Sequence, residues 1–224
     1  LKEMMKDAGV KARFIRGGST KYLVEMLEEG LTDYILDGQT FDLEGIRSMR
    51  ENYGHVNTSP FTSYNWHGKG NFASMLDVVV LGATEVDVNF NANVVTHSDG
   101  RILHGIGGWQ NCLFSKCTIL PIPSFRKKIP IIVDNVTTLV GPGELIDVVV
   151  TERGIAINPL RKDLIKTTKN SGLPIRPIEE IKEELDDLIG GPPAKPELMD
   201  EVISVVKWVD GTVIDSIFKI KDLK

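Results

Sequence analysis

The sequence predicts an α/β fold, in which a mixed and largely parallel sheet is flanked by helices and followed by a C-terminal β-hairpin. Helical and strand patterns alternate along the chain, as they do in a sheet with helices on both faces. The run "VVVL" is continuously apolar, which is typical of a strand buried on both faces. Near the end, Asp210-Gly211 separates two apolar stretches and favours a type I′ turn. With 224 residues and 42% hydrophobic content, the chain can bury a sizeable core.

The first part of the chain alternates between strands and helices. Ser19 is the predicted N-cap of a helix whose apolar residues recur at helical spacing until Gly30. The Pro- and Gly-containing segment 59–71 is predicted as a loop, with Trp66 and His67 as candidate substrate contacts. In chain order, the predicted elements are a strand at 11–16, a turn at 17–18, a helix at 21–29, a strand at 33–37, a helix at 41–52 and a strand at 55–59.

Strands dominate the pattern in the rest of the chain. The apolar run at 76–81 is followed by strict alternation up to residue 95, which extends the prediction of strand through this segment. The segment "GGPPAKP" is too rich in Gly and Pro to form an element and is predicted as a linker. The further predicted elements are strands at 117–120, 129–134 and 146–157, helices at 160–170 and 178–189, and the hairpin at 205–220.

Composition and charge exclude several classes of protein. The formal net charge is −5, and the basic run Arg126-Lys127-Lys128 leads directly into an apolar segment, so we interpret it as a solvated strand end rather than a nucleic-acid patch. Apolar stretches fall short of the roughly 18 residues that a membrane span needs. The N-terminal segment lacks the apolar core of a secretory signal, and we therefore expect a cytoplasmic protein.

The cysteines and histidines do not predict a metal site. Cys112 and Cys117 have neither a second cysteine pair nor histidines at zinc-site spacing, and we interpret them as buried free thiols. The histidines are scattered without the i, i+4 helical spacing of a metal site, and we interpret them as structural residues. They are His55, His67, His97 and His104.

One face of the predicted strand at 85–94 is entirely polar. Val86, Val88, Phe90, Ala92 and Val94 share one face, and the opposite face consists of Glu85, Asp87, Asn89, Asn91 and Asn93. Asp and Asn are poor strand formers, so this pattern needs a reason. Two interpretations remain open: a solvated outer face, or a row of amide donors and acceptors that lines a pocket for a carboxylate or acyl group.

The segment "HGIGGWQN" contains Gly105, Gly107 and Gly108 within four positions. Glycines leave the backbone free to adopt positive φ and to offer successive N–H groups to a phosphate, a thioester carbonyl or an oxyanion. Glycines that only form a turn are the alternative. The segment is not a dinucleotide fingerprint, because no GxGxxG opens a helix here. Trp109, directly after the glycines, is a candidate to cover a thioester or an adenine, with core packing as the alternative.

Several long motifs occur in an order that resembles a known family. "DVVVLGATEVDV", the GxGG loop, "VVTERGIAINP" and "WVDGTVID" resemble the citrate lyase α subunit, the citrate CoA-transferase, from about Ala8 to Ile220. More distantly, they resemble the CoA-transferase and acyl-CoA hydrolase superfamily. The resemblance implies that residues 1–224 form a single CoA-transferase-like three-layer domain. Because the family's subunit has two similar halves, it also implies that the chain is the second half and that an N-terminal part is missing.

The resemblance implies a reaction, partners and a site. The expected reaction exchanges acetyl for citryl on the CoA-like phosphoribosyl-dephospho-CoA thiol of an acyl carrier protein. The expected partners are the β (lyase) and γ (acyl carrier) subunits, citrate and an acetyl thioester, with no metal, nucleic acid or membrane, and an oligomer is expected. Gly107, Gly108 and Asn111 are the expected catalytic residues. The expected substrate- or CoA-binding residues are Glu85, Asn91, Asn93, Gly105 and Trp109.

The sequence departs from the family's pattern at two places. Asp37-Gly38-Gln39 stands where related CoA-transferases carry a nucleophilic glutamate, which suits transfer through a mixed anhydride without a covalent enzyme intermediate. Trp109-Gln110-Asn111 stands where the family usually has His-Ser-Asp, and Asn111 can carry neither charge nor a proton. If that aspartate acts through its charge, transfer is impaired. The alternatives are therefore an acyl-CoA hydrolase or a non-catalytic scaffold subunit of the same fold, and citrate and citramalate are equally open as the acid.

Overall fold

The computed structural model describes residues 1–64, 72–191 and 195–221, and the chain divides into two units, Leu1–Met75 and Leu76–Lys224. Each unit has its own sheets, since the strands of the first unit pair only with one another. The single CoA-transferase-like domain predicted over residues 1–224 stays a prediction. A mixed α/β fold was predicted and is confirmed.

Unit 1 is a parallel three-stranded sheet with helices between its strands. The strand order is β1-β2-β3, so each successive strand lies beside the previous one. The strands are Ala12–Ser19 (β1), Thr32–Thr40 (β2) and His55–Asn57 (β3). The helices are Lys2–Asp7 (α1), Lys21–Glu28 (α2), Leu43–Glu51 (α3) and Pro60–Tyr64 (α4), and a 3-10 helix covers Ala73–Met75.

The predicted elements of unit 1 are present, with two corrections at the end of β1. Gly17-Gly18 is not a turn but part of the strand, where the pairing with β2 shifts by one residue. Gly17 has a φ of 137°, which explains why glycine stands at this irregularity. Thr20, not Ser19, is the N-cap residue of α2, because the Ser19 side chain bonds Asp37 instead. The loop predicted at 59–71 begins with α4, and Trp66 and His67 lie outside the described residues.

Unit 2 is built mainly from short strands joined by long loops. One sheet has the order β12-β11-β7-β4, with β12 antiparallel and the others parallel; another has the order β10-β5-β6. The strands are Val79–Val80 (β4), Glu85–Asp87 (β5), Ala92–Asn93 (β6), Thr118–Pro121 (β7), Phe125–Arg126 (β8), Ile129–Pro130 (β9), Ile132–Val133 (β10), Val148–Thr151 (β11), Gly154–Ile157 (β12), Leu198–Lys207 (β13) and Val213–Ile220 (β14). The helices are Trp109–Cys112 (α5), Lys162–Thr168 (α6) and Ile178–Ile189 (α7), and a 3-10 helix covers Gly143–Leu145.

The core of unit 2 lies between its sheets and α7. Val86, Ile132 and Ile146 are completely buried, as are Ile181 and Leu185 on the inner face of α7. Burying a large aliphatic side chain contributes about 1.5–3 kcal/mol, so this cluster is the main apolar contribution to the stability of the unit. Helix α7 follows its predicted bounds and ends at Gly190, whose φ of 82° is the left-handed conformation of a glycine cap.

Three predicted strands of unit 2 are in fact interrupted. The segment 76–95 contains three short strands, 129–134 contains two, and 146–157 contains β11 and β12, joined by a turn at Glu152-Arg153. The strands β13 and β14 pair antiparallel, but their turn is not type I′, because Gly211 alone of the Asp210-Gly211 pair has positive φ. A bond from Trp208 N–H to the Thr212 carbonyl (2.7 Å) closes a three-residue loop instead.

The centre of unit 1 is a buried carboxylate. Asp37, 1% exposed, accepts hydrogen bonds from the Ser19 hydroxyl (2.9 Å), the Thr40 hydroxyl (2.6 Å) and the N–H groups of Ser19 and Gln39. His55, also buried, lies 3.5 Å from the same carboxylate. Burial alone would raise the pKa of Asp37, but the hydrogen bonds from Thr40, Ser19 and Gln39 outweigh it and hold the pKa below its usual value.

Asp37→Asn is expected to destabilise unit 1 by roughly 2–4 kcal/mol, because an amide cannot accept all the hydrogen bonds that the carboxylate accepts. Since the folded-state pKa is lowered, the contribution of the carboxylate is complete above the unfolded pKa of about 4 and is lost as the pH falls through the folded pKa. Urea unfolding at pH 7 and pH 3 should therefore show a difference between the natural protein and the variant that shrinks in acid. Asp33→Asn, on the exposed side of the same strand, is the control and should change stability little. A free energy of unfolding unchanged by Asp37→Asn at pH 7 would contradict this role.

Candidate functional site

Two adjoining clefts lie in unit 2, on the side of the glycine loop. The first, of about 530 Å³, is lined by Gly82, Leu103, His104, Ile106 and Trp109 among others, and we call it the loop cleft. The second, of about 420 Å³, is lined among others by Ser98, Arg101, Ile102, Lys127 and Ile129, and we call it the basic cleft. Thr84, His97 and Arg126 line both clefts, which are therefore continuous. Their sizes are typical of sites for small molecules.

The glycine loop presents open backbone at the loop cleft. Gly107 has a φ of 60°, and a side chain on Gly105 or Gly107 would meet no atom within 4 Å. Within the part of the chain that the structure describes, the N–H groups of Gly107 and Gly108 donate to no other protein group. Backbone N–H groups without a partner are uncommon in folded proteins unless water or a ligand accepts from them. The loop therefore offers two donors that an anionic oxygen can use.

Trp109 has a fixed position at the end of this loop. Its indole N–H donates to the Gly82 carbonyl (2.9 Å), and its ring lies against Gly141, where an added Cβ would come within 2.5 Å of the ring. Part of the indole lines the loop cleft. The two predicted roles of Trp109, ligand cover and packing, are therefore compatible, because different parts of one ring are available for each.

The two residues after Trp109 face away from the clefts. Gln110 is buried and donates to the Val140 carbonyl (3.0 Å). Asn111 is half-buried on the short helix α5 and is not among the residues that line either cleft. Of the predicted site residues in this segment, Trp109 lines the loop cleft, whereas Gly105, Gly107, Gly108 and Asn111 are not among its lining residues.

The polar residues at 85–93 form a turn rather than one long face. The chain reverses between β5 and β6, and Phe90 in the reversal has a φ of 66°. Asp87 accepts from the N–H groups of Asn89 (2.9 Å) and Asn91 (3.0 Å), and its other oxygen accepts from the Asn91 amide (3.1 Å). The prediction of one continuous strand is wrong here. The Asp87 carboxylate instead accepts hydrogen bonds from the backbone N–H groups of a chain reversal.

Glu85 and Asn93 are partners in a buried network. The Asn93 side chain is completely buried, and its amide group donates to Glu85 (2.9 Å) and to the Thr96 hydroxyl (2.9 Å). Its side-chain carbonyl accepts from the backbone N–H groups of Val95 and Thr96. Glu85 also accepts from the Thr137 N–H (2.8 Å) and hydroxyl (3.0 Å). Neither the solvated face nor the pocket lining predicted for these residues is observed, because their polar atoms bond to protein. Glu85 follows Thr84 and Asn93 precedes Val94, and both Thr84 and Val94 line the loop cleft. The buried network therefore helps to hold the wall of this cleft in position.

The basic run lines a cleft, which the sequence analysis did not predict. Arg126 and Lys127 lie on the β8–β9 hairpin, where Lys127 has a φ of 59°, and both line the basic cleft. Both are exposed at a strand end, as predicted, and they also form part of a cleft wall. His97 and His104, interpreted as structural from their spacing, line the clefts as well. A basic run between two prolines in an acidic chain was the available signal.

The motif "VVTERGIAINP" holds this hairpin in place. Glu152 accepts from the Ser124 N–H (2.9 Å) and from the Ser124 hydroxyl. Burial raises the pKa of Glu152, but these two bonds outweigh it and the pKa is lowered. The Arg153 guanidinium lies 5.6 Å from the centre of the Phe125 ring and donates to Glu184 (2.6 Å). The motif therefore fixes the two residues that precede Arg126.

The described residues contain no group of three or more His, Cys, Asp or Glu side chains that could hold a metal ion. Cys112 is buried, and Cys117 is half-buried rather than buried as predicted. Among the same residues, no helix is long and apolar enough to cross a membrane. Asp37, at the position predicted to replace a nucleophilic glutamate, is enclosed in unit 1 by its hydrogen-bond partners.

Comparison with known proteins decides the family. The family model of the citrate lyase alpha subunit (CitF) matches residues 1–220. The chain belongs to the citrate lyase α subunit family. It is 38% identical over 223 residues to the citrate lyase alpha chain of Escherichia coli (strain K12) and 39% identical to that of Klebsiella pneumoniae. Each match covers 99% of this chain and 44% of the relative, so the chain spans less than half the length of these curated relatives. The family resemblance predicted from the motifs is confirmed, but the chain corresponds to the N-terminal part of its curated relatives, so the prediction that it is the second half is wrong.

Solved structures agree with this family. A Streptococcus mutans protein, described as the alpha subunit of citrate lyase in complex with citrate, matches with a TM-score of 0.94 and 39% identity, over 99% of this chain and 44% of that one. The malonate decarboxylase alpha subunit from Acinetobacter baumannii matches with a TM-score of 0.52 and 16% identity, over 84% of this chain and 50% of that one. At that identity, the second match shows a shared fold alone.

Asn93→Ala is expected to destabilise unit 2 of this family member by roughly 2–4 kcal/mol, because it removes one hydrogen bond each from Glu85 and the Thr96 hydroxyl and the side-chain acceptor of two buried N–H groups. Thermal unfolding should show the loss, whereas Asn89→Ala, in the same segment, should leave the unfolding temperature nearly unchanged. If Asn93→Ala unfolded like the natural protein and lost only ligand binding, the substrate-facing role predicted from the sequence would stand instead.

Proposed function

We propose that this chain is the citrate CoA-transferase component of citrate lyase and exchanges acetyl for citryl on the CoA-like thiol of an acyl carrier protein. The observation that carries the proposal is the pair of N–H groups at Gly107 and Gly108, which donate to no group of the described residues, in a loop whose His104, Ile106 and Trp109 line a cleft of ligand size. Such donors stabilise the oxyanion that forms when a thioester carbonyl is attacked. Membership of the citrate lyase α subunit family supports the same reaction class.

Positive charge at the clefts supports citrate as the acid. Arg126 lines both clefts, and no other described side chain pairs with its guanidinium. His97 and His104 add two groups that can donate to carboxylates. The relative from Streptococcus mutans is described in complex with citrate, which favours a tricarboxylate over a monocarboxylate as ligand. The same chemistry would accept citramalate.

The proposed transfer proceeds through a mixed anhydride. A citrate carboxylate attacks the acetyl thioester carbonyl, the C–S bond breaks, and acetyl-citryl anhydride and a thiolate result. The thiolate then attacks the citryl carbonyl, which gives citryl thioester and releases acetate. Gly107 and Gly108 donate to the oxyanion at each step, and the cleft contributes positioning of the two reactants. No enzyme nucleophile is required, which suits the enclosed position of Asp37.

The remaining expectations form part of this proposal. The thiol is the phosphoribosyl-dephospho-CoA group of the γ subunit, the β subunit cleaves the citryl thioester, and no metal takes part in this half reaction. Gly105 and Trp109 contact the thioester, whereas Glu85, Asn91 and Asn93 act through the wall that they support. A CoA-transferase-like three-layer arrangement, an oligomeric complex and a cytoplasmic location complete the proposal.

A scaffold subunit is the second candidate, and the neutral segment Trp109-Gln110-Asn111 favours it. Gln110 is buried against Val140, and Asn111 stays off the cleft, so neither side chain replaces the acid that the family usually carries. A scaffold would keep the fold and bind a carrier or another subunit without exchanging thioesters.

The exchange of acetyl for citryl, followed by mass spectrometry of the carrier thioester, tests the proposal. Gly107→Val is expected to slow exchange about 100-fold, because a β-branched residue is strained at a φ of 60° and would displace the loop N–H groups. Gly172→Val is the matched control: Gly172 has a φ of 73°, meets no atom within 4 Å of an added Cβ and lies outside both clefts. It should cost stability without slowing exchange by a comparable factor.

A variant carrying Trp109→His, Gln110→Ser and Asn111→Asp separates the two candidates. If the natural protein exchanges thioesters, the neutral loop is competent and the transferase proposal stands. If the natural protein is folded but silent and the triple variant is active, the chain has kept the fold without the chemistry, and the scaffold function replaces the transferase proposal.

A further inference from the structure

Among its described lining residues, the loop cleft combines a mostly apolar wall with one permanent charge, that of Arg126. His97 and His104 are the other lining side chains that can donate to an anion. The Thr84 hydroxyl is already used, since it lies within hydrogen-bond distance of two backbone carbonyls (2.9 and 2.8 Å). The apolar lining residues are Ala83, Val94, Leu103, Ile106 and Trp109.

Trp109 is the largest side chain of this apolar wall, and its ring has a fixed orientation. The indole N–H donates to the Gly82 carbonyl (2.9 Å), and the ring lies against Gly141. Because the N–H is the one donor of an indole and is used in this bond, the ring has no further hydrogen bond to offer a ligand. A charged group placed against the ring would therefore lose water without gaining a partner.

Two aliphatic side chains of the same segment continue the apolar wall. Leu103 is 39% exposed although it lines a concave surface, and its N–H donates to the Val95 carbonyl (2.7 Å), which holds the residue in place. Ile106 packs against the core of unit 2. The apolar wall and the N–H donors of Gly107 and Gly108 thus belong to one stretch of chain, residues 103–109.

The proposed transfer leaves one part of the acid for this wall to recognise. One carboxylate of the acid becomes part of the anhydride, and a second can pair with Arg126. A 2-hydroxy dicarboxylate with a methyl branch, such as citramalate, then has an apolar group left for the wall. Citrate carries a carboxymethyl group in place of that methyl, and its charge would lose water beside side chains that cannot bond to it.

We propose that Trp109 determines the acid specificity of the transferase. It shifts the loop cleft away from acids with a third carboxylate and toward 2-hydroxy acids with an apolar branch. The inference rests on the proposed function, because it assigns the acid side of that reaction. The wall acts on the unreactive branch of the acid, so its effect is on which acid is chosen rather than on the chemistry of the thioester.

Thioester exchange with citramalate and with citrate as the acid tests the inference. Trp109→His introduces a side chain that can donate to a carboxylate, and it is expected to lower the ratio of kcat/KM for citramalate to that for citrate about tenfold. Most of the change should lie in KM, since the branch is bound equally in the ground state and the transition state. Trp109→Phe keeps an apolar ring and should leave the ratio within about twofold of its natural value.

A second pair of variants tests the wall without altering the packing of Trp109. Leu103→Asn should lower the ratio in the same direction, because it replaces another apolar lining side chain by an amide. Ile102→Asn is the matched control, since Ile102 is the preceding residue, is 50% exposed and does not line the loop cleft. It should leave the ratio nearly unchanged.

Calorimetric titration of the 224-residue chain with each acid gives a readout that does not require exchange, and the ratio of the two Kd values should change in the same sense. The inference is overturned if folded Trp109→His leaves both ratios unchanged, or if Ile102→Asn shifts them as much as Leu103→Asn does. Exchange with unchanged ratios would overturn this inference alone. The expected shift in binding without any exchange by the natural protein would overturn the transferase proposal alone.

Discussion

Carboxylates that accept hydrogen bonds from backbone N–H groups connect the parts of each unit. Asp37 does this in unit 1, and in unit 2 the N–H groups of Thr137, Asn91, Thr118, Ser124 and Leu139 each donate to a side-chain carboxylate, in turn Glu85, Asp87, Asp147, Glu152 and Asp215. Many strands of unit 2 are only two to four residues long, so sheet pairing leaves much of the backbone to be satisfied by side chains. Burying a carboxylate is unfavourable in itself, but several converging N–H donors offset the desolvation. The loops of unit 2 therefore have defined positions although they contain little regular structure.

The glycine loop differs from the loops that contain these carboxylates. Among the described residues, the N–H groups of Gly107 and Gly108 have no protein acceptor. Donors of this kind are available to water or to a ligand. The surrounding carboxylates contribute indirectly: Glu85 and Asp87 support the wall behind the loop cleft, and Glu152 supports the hairpin that carries Arg126. Stability thus depends on hydrogen bonds from backbone N–H groups to carboxylates. The proposed function depends on backbone N–H donors too, namely those of Gly107 and Gly108.

Sequence patterns predicted unit 1 far better than unit 2, for a physical reason. Helices α2 and α3 are amphipathic, and that pattern leaves a periodic signal in the chain. In unit 2 the alternation at 85–93 has the period of a strand, yet Asp87 and Asn93 alternate because they satisfy a reversal and a buried network. Periodicity records which positions are polar, not which partners they have.

For the site, the glycines were found from their spacing, while Arg126 and His97 were missed because their role depends on a hairpin and a turn that only the tertiary structure brings together.

The neutral residues after the glycines have a consistent place in the proposed transfer. Trp109 is fixed by Gly82 and Gly141, and Gln110 is fixed by Val140, so these side chains hold the start of α5 and with it the direction of the loop N–H groups. An oxyanion hole depends on the position of its donors more than on a nearby charge. With packing to set the geometry of the loop and the hairpin to supply positive charge, the proposed transfer does not need an acidic residue in this loop.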